Sequence, residues 1–81
     1  MLSKYKVSRC PVCNQGWIEI VKEKKTGILF LCCDECEAEW ENPKEIGVRG
    51  KGSRFKFGKS IEPSYDEMVD RGWKNYINND H

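Results

Sequence analysis

The chain has 81 residues, of which 38% are hydrophobic and 33% charged, and its formal net charge is +1. A chain this short and polar predicts one domain with a small core, which often needs a metal ion or disulfides for stability. No stretch approaches the roughly 18 apolar residues of a membrane span, and no apolar segment marks a signal peptide, so we expect a cytoplasmic protein without a membrane partner. The near-neutral charge argues against binding nucleic acid by bulk charge alone.

The first half of the chain predicts an antiparallel β-sheet. Residues 4–8 favour a short leading strand, and residues 17–23 are rich in β-forming side chains. A turn over residues 24–27 precedes the continuous apolar run of residues 28–33, and residues 38–42 predict one more short strand.

The cysteines predict a metal site. There are five of them: Cys10, Cys13, Cys32, Cys33 and Cys36. Cys10/Cys13 and Cys33/Cys36 each enclose two residues, and nineteen residues separate the two pairs, within the window of roughly 15–20 for a four-cysteine zinc site. Two such turns, brought together by a hairpin, complete a tetrahedron with Zn–S distances of about 2.3 Å. In the first turn Pro11 fixes φ, and Asn14 and Gly16 tolerate the left-handed conformation often needed where the chain leaves such a turn.

The two cysteine turns joined by a hairpin resemble the zinc-ribbon family over about residues 8–42. The resemblance implies a closed structural zinc site, with Cys10, Cys13, Cys33 and Cys36 as its ligands. It implies no particular function, because zinc ribbons serve in transcription, translation, enzyme subunits and protein docking.

The same cysteines leave alternatives open. Disulfides need an oxidising compartment, and a C-x-x-C redox pair usually opens a helix in a βαβ unit, of which the sequence has no sign. The first turn also resembles the iron-binding turn of rubredoxins, but the second lacks the matching proline and glycine. Cys32 is either a substitute for Cys33 in the tetrahedron or a small buried side chain on its strand.

The C-terminal half predicts a capped turn, a connector and a helix. Asn42 and Pro43 begin a short helical turn, and Ser64 and Glu67 have the spacing of a capping box. Apolar residues then recur on one helical face: Tyr65, Met68, Val69, Trp73, Tyr76 and Ile77. We expect Gly72 to interrupt this helix, and the helix to pack on the ribbon.

The chain thus divides into a zinc ribbon at 1–45, a basic, glycine-rich connector or hairpin at 46–61, and a C-terminal helix at 62–81. Together they predict a small, metal-stabilised α+β domain: an antiparallel β core of the zinc-ribbon type with a C-terminal helix.

An acidic cluster lies on the second cysteine pair and the strand after it. Residues 34–45 hold six acidic side chains and one basic one. The alternation of Glu37, Glu39 and Glu41 predicts one exposed strand face, which is either a solvated surface or a docking surface for a basic protein.

A basic cluster follows the acidic one. Residues 46–61 hold five basic side chains and no acidic one. If this segment contacts phosphates while aromatic rings stack on bases, the contact residues are Arg49, Lys51, Arg54, Phe55, Lys56, Phe57 and Lys59. The alternative is a hairpin or edge strand whose phenylalanines pack inward and whose charges are solvated or paired with the acidic cluster.

The sequence carries no catalytic constellation, and a four-cysteine zinc site has no open position for water, so we expect neither an enzyme nor a small-molecule substrate.

The first functional hypothesis is a stoichiometric protein-binding module, with Trp73 among its aromatic contacts. In style, and in the Gly72-Trp73 ending of its helix, the chain resembles small bacterial immunity or antitoxin proteins, which implies toxin contact through the acidic cluster. The alternative is a nucleic-acid-binding zinc ribbon in transcription or RNA handling.

Overall fold

The structure is a computed structural model that describes residues 5–53 and 56–77. In these residues five antiparallel strands form one sheet: β1 (Lys6–Arg9), β2 (Trp17–Glu23), β3 (Leu29–Cys33), β4 (Glu39–Trp40) and β5 (Ser60–Ile61). The order across the sheet is β1-β2-β3-β4, and β5 also pairs with β2. A helix, α1 (Tyr65–Arg71), follows, and 3₁₀ turns span Pro43–Glu45 and Lys74–Tyr76. The small α+β fold predicted from the sequence is confirmed.

The core lies on one face of the β2–β3 hairpin. Ile18 lies opposite Cys33, and Ile20 lies opposite Leu31. Trp40 of β4 lies on the other side of Leu31. All five side chains are at most 2% exposed. Because alternate residues of a strand share a face, the hairpin places its apolar side chains together and its second cysteine pair at the end of this core.

The helix begins as its sequence predicts. The Ser64 hydroxyl accepts a hydrogen bond from Glu67 N, and the Glu67 carboxylate accepts one from Ser64 N, which completes the capping box. Met68 is fully buried and joins the core cluster of the sheet, so α1 packs on the sheet. In the described part of the chain, no helix is long and apolar enough to cross a bilayer.

The helix ends at Gly72, where the sequence predicts its interruption, and the apolar pattern does not continue as helix beyond it. Gly72 has a φ of 81°, and the next residue, Trp73, donates its backbone N–H to Met68 O at 2.9 Å. This left-handed cap turns the chain back toward the sheet. The helical face expected to run on to Tyr76 and Ile77 is therefore wrong, because these two residues lie after the cap, in and beyond a 3₁₀ turn.

The connector at 46–61, apart from residues 54 and 55, packs on both faces of the sheet. Near its start, Ile46 packs against the core. Glu39 exchanges backbone hydrogen bonds of 2.7 and 2.8 Å with Ser53. The ring of Phe57 stacks on Phe30 of β3, with the centroids 4.2 Å apart. The connector then ends in β5, which pairs with β2. The basic segment is thus attached to the sheet along much of its length.

Candidate metal centre

The four cysteines at C-x-x-C spacing converge at one end of the sheet. Their sulfur atoms all lie within 4.8 Å of one another. Cys10 Sγ lies 3.7 Å from Cys36 Sγ, and Cys13 Sγ lies 3.7 Å from Cys33 Sγ. A tetrahedron with metal–sulfur distances of about 2.3 Å has edges of about 3.8 Å. The spacing of the sulfurs therefore fits a single tetrahedrally coordinated metal ion.

The two cysteine turns, called knuckles from here on, close in the same way. In the first, Cys10 N donates to Gly16 O at 2.9 Å, and in the second, Cys33 N donates to Ala38 O at 2.9 Å. The residue after each knuckle is left-handed: Asn14 has a φ of 59°, and Glu37 has a φ of 62°. The prediction for Asn14 is confirmed, whereas a glutamate in this conformation was not expected, because its side chain carries the usual steric cost.

Backbone N–H groups point at the sulfurs. At 3.4 Å, Val12 N donates to Cys10 Sγ, Gly16 N to Cys13 Sγ, and both Glu35 N and Cys36 N to Cys33 Sγ. Hydrogen bonds to sulfur favour the thiolate, which is the form that binds metal. The knuckles are therefore arranged for negative charge on sulfur.

The surroundings shift the thiol pKa values in opposite directions. Backbone N–H groups of Gln15 and Gly16 lower the pKa of Cys13 from 9.0 to about 6. Burial raises the pKa of Cys33 to about 12, and burial also raises the pKa of Cys10. A metal ion that binds here must displace protons from the buried thiols, so its affinity falls as the pH falls.

Gly16 has a role that sequence reasoning missed. It is not among the left-handed residues of the described chain. A Cβ atom at this position would lie 2.7 Å from Cys33 Sγ, 2.6 Å from Asp34 Oδ1 and 2.8 Å from Glu35 Cβ. These distances are shorter than real contacts of a Cβ atom. Glycine is required because the second knuckle packs against its Cα, a contact between distant residues that no local sequence signal reveals.

Cys32 lies outside the cluster. It pairs in register with Glu19 on one side and Glu39 on the other, on the face of the sheet opposite to Cys33. Its Sγ donates to Cys33 O at 3.4 Å. Burial, with a further contribution from the Glu39 carboxylate, raises the pKa of Cys32 to about 12. The sequence left Cys32 and Cys33 as alternatives, and the structure places Cys33 in the cluster.

The cluster lies on an antiparallel sheet, as in the zinc ribbons that the sequence resembles. Comparisons with protein-family models, with curated proteins and with solved structures each find no match to this chain. The likeness to zinc ribbons therefore rests on features of the chain itself: the two knuckles, the hairpin that joins them and the convergence of four sulfurs.

The acidic residues Glu37, Glu39 and Glu41 do not form the single exposed strand face that the sequence predicts. Glu37 lies outside any strand, and Glu41 follows the end of β4. Both are exposed, but Glu39 is only 8% exposed, so its predicted exposure is wrong. Its carboxylate accepts hydrogen bonds from the backbone of the connector, which covers this face of the sheet. Trp73, the aromatic residue expected at a partner surface, is 4% exposed and belongs to the core, because the left-handed cap of α1 returns it to the sheet.

The basic segment is partly engaged within the protein. Lys56 pairs with Glu41, and Lys51 Nζ lies 4.0 Å from Glu45. Phe57 packs inward on Phe30, as the alternative to base stacking predicts. The remaining residues expected to contact nucleic acid fall into two groups: Arg49 and Lys59 are exposed, whereas Arg54 and Phe55 lie outside the described residues.

Proposed function

We propose that this chain is a zinc-ribbon protein that binds one structural Zn²⁺ through Cys10, Cys13, Cys33 and Cys36. The convergence of the four sulfurs within 4.8 Å carries this proposal. Four thiolates are the donors of closed zinc sites, which stabilise a fold and leave no coordination position for a substrate or for catalytic water. The proposed role of the metal is therefore structural. We accordingly propose a protein without catalytic activity.

The metal proposal is tested by adding Zn²⁺ to metal-free protein and measuring the bound metal by mass spectrometry under native conditions. We expect one zinc ion per chain and the loss of reactive thiols at the four ligands. A chain that retains no metal, or that binds equally well after Cys13→Ser, contradicts the proposal.

We further propose that the domain is a stoichiometric protein-binding module for a basic partner, in the manner of immunity proteins that neutralise toxins. Exposed carboxylates on and after the second knuckle support this proposal, namely those of Glu35, Glu37 and Glu41, the last of which also pairs with Lys56. Four thiolates with Zn²⁺ also lower the formal net charge from +1 to about −1. An acidic surface speeds association with a basic partner and disfavours phosphate-bearing ones.

The engagement of the basic segment favours a protein partner over nucleic acid. Three of the side chains that a nucleic-acid site would use already have partners within the protein. Lys51 and Lys56 pair with carboxylates, and Phe57 stacks on Phe30. Base stacking on Phe57 would have to displace Phe30, and phosphate contacts of Lys51 and Lys56 would compete with their carboxylate partners.

Affinity capture from native lysate, with and without nuclease, distinguishes the two partner classes. A single protein recovered in equal stoichiometry after nuclease treatment supports the proposed module. Glu37→Lys and Glu41→Lys should then weaken its binding, while Glu62→Lys, which reverses an exposed charge before α1, should not. Nuclease-sensitive, nucleic-acid-rich material would instead favour the nucleic-acid alternative, as would binding that weakens steeply with salt.

A further inference from the structure

We propose that Gly16 and Asp34 are positioning residues for the metal, which together set the separation between the two knuckles. This inference rests on the proposed metal site. Four sulfurs contributed by two separate turns bind one ion well only when the turns themselves are held in place, since outer residues orient the ligands of a metal.

Gly16 is in contact with ligands of both knuckles. Its backbone N–H donates to Cys13 Sγ at 3.4 Å, and its carbonyl accepts from Cys10 N at 2.9 Å. On its other side a Cβ atom would lie only 2.7 Å from Cys33 Sγ. One residue therefore closes the first knuckle and also forms the surface on which a ligand of the second knuckle rests. A methyl group at this position therefore forces Cys33 Sγ and its neighbours in the second knuckle to shift.

Asp34 joins the second knuckle to the strand that follows Gly16. Asp34 N donates to Trp17 O at 3.0 Å, and Trp17 N donates to Asp34 Oδ1 at 2.9 Å. The side-chain oxygen takes the place of a strand carbonyl, so the β2–β3 ladder extends one residue beyond Cys33 and into the knuckle. Gly16, which closes the first knuckle, directly precedes Trp17, and the two hydrogen bonds therefore fix one knuckle against the other.

The experiment titrates metal-free protein with Co²⁺, whose visible absorption reports tetrahedral thiolate coordination, and measures Zn²⁺ affinity by competition with a chromophoric chelator. The variants are Asp34→Ala, Asp34→Asn and Gly16→Ala. The control is Glu35→Ala, which removes the neighbouring exposed carboxylate of the same knuckle but keeps its Cβ atom. We expect Asp34→Ala to weaken Zn²⁺ binding about 10- to 100-fold. Gly16→Ala should weaken binding at least as much and change the cobalt spectrum.

The conservative variant separates positioning from charge. Asp34→Asn keeps an acceptor oxygen for Trp17 N and should bind close to wild type, as should Glu35→Ala. Wild-type affinity in Asp34→Ala would overturn the inference, as would equal losses in Asp34→Ala and Glu35→Ala, which would indicate a charge effect. If Gly16→Ala fails to fold, the Zn²⁺ affinities of the Asp34 variants still test whether the knuckles are positioned in this way. Absence of the cobalt signal in the wild type would contradict the proposed metal site itself.

Discussion

Phe57 N donates a hydrogen bond of 3.2 Å to Glu39 Oε1, and so joins the basic connector to the strand that follows the second knuckle. Lys56 N donates to the same oxygen at 3.0 Å. A carboxylate that is only 8% exposed would be costly without such partners. The acidic and basic clusters of the sequence are therefore partly satisfied by each other within the fold, and the buried glutamate is a structural residue.

Replacing Glu39 by alanine should detach the connector from the sheet. The N–H groups of Lys56 and Phe57 lose their acceptor, and because hydrogen bonds to charged groups contribute about 1.5–3 kcal/mol each, we expect the free energy of unfolding to fall by about 2 kcal/mol or more. Denaturant unfolding of metal-loaded protein measures this loss, and faster hydrogen exchange at the two amides should accompany it. Glu41→Ala is the matched control, because an exposed ion pair contributes at most about 1 kcal/mol. Equal losses in both variants would contradict the assignment.

The features that could be predicted from the sequence are those encoded over short distances. The spacing of the cysteines, the β2–β3 hairpin and the capping box at Ser64 each depend on residues close together in the chain or on one strand register. The burial of Glu39 could not be predicted, because alternation shows which residues share a face but not which later segment covers it. The steric requirement for Gly16 and the return of Trp73 to the core likewise depend on contacts made only after folding.

Removal of the metal should unfold at least the ribbon. Structural zinc contributes on the order of 10–16 kcal/mol in small metal-binding peptides, while a whole domain has a net stability of only about 5–15 kcal/mol. Either a strong chelator or Cys13→Ser should therefore abolish the cooperative thermal transition followed by circular dichroism. Cys32→Ser removes a thiol outside the cluster and should keep the transition. A metal-free protein that retains a full cooperative transition would show that the hairpin core suffices alone.

Glu67 should make the attachment of α1 to the sheet sensitive to acid. Its carboxylate accepts from Ser64 N at 2.8 Å and pairs with Lys22 Nζ at 3.0 Å, and these contacts hold its pKa below the ordinary 4.5. A pKa that is lower in the folded state stabilises the fold above pH 4.5, and this contribution disappears as the pH falls through the folded-state pKa. Glu67→Gln should therefore reduce Tm near neutral pH, and its difference from wild type should shrink in acid.

Acid also protonates the cysteine ligands, so the informative quantity is the difference between variant and wild type at each pH. Asp66→Asn is the control, because this side chain is an exposed acid in the same first turn. A difference between Glu67→Gln and wild type that stays constant across the acid range would show that the ionised carboxylate is not what matters.

Glu37 combines an unfavourable backbone conformation with an exposed side chain beside the four-cysteine cluster. A left-handed conformation costs an ordinary residue roughly 1–2 kcal/mol, whereas glycine adopts it freely. We therefore expect Glu37→Gly to raise the free energy of unfolding of the metal-loaded protein by about 1 kcal/mol, after allowance for the greater freedom of glycine in the unfolded chain. Asn14→Gly, at the equivalent position of the first knuckle, should have a smaller effect, because asparagine already tolerates this conformation.

Glu37→Gly also tests whether the Glu37 side chain contacts a binding partner. Residues kept in costly conformations often lie at functional sites, where the side chain contributes something that the fold does not need. If Glu37 contacts the proposed basic partner, Glu37→Gly should be more stable yet bind that partner more weakly, and Glu37→Asp should retain more of the binding. A variant that gains stability and loses no affinity would place the docking surface elsewhere on the acidic cluster, with Glu41 as the next residue to reverse.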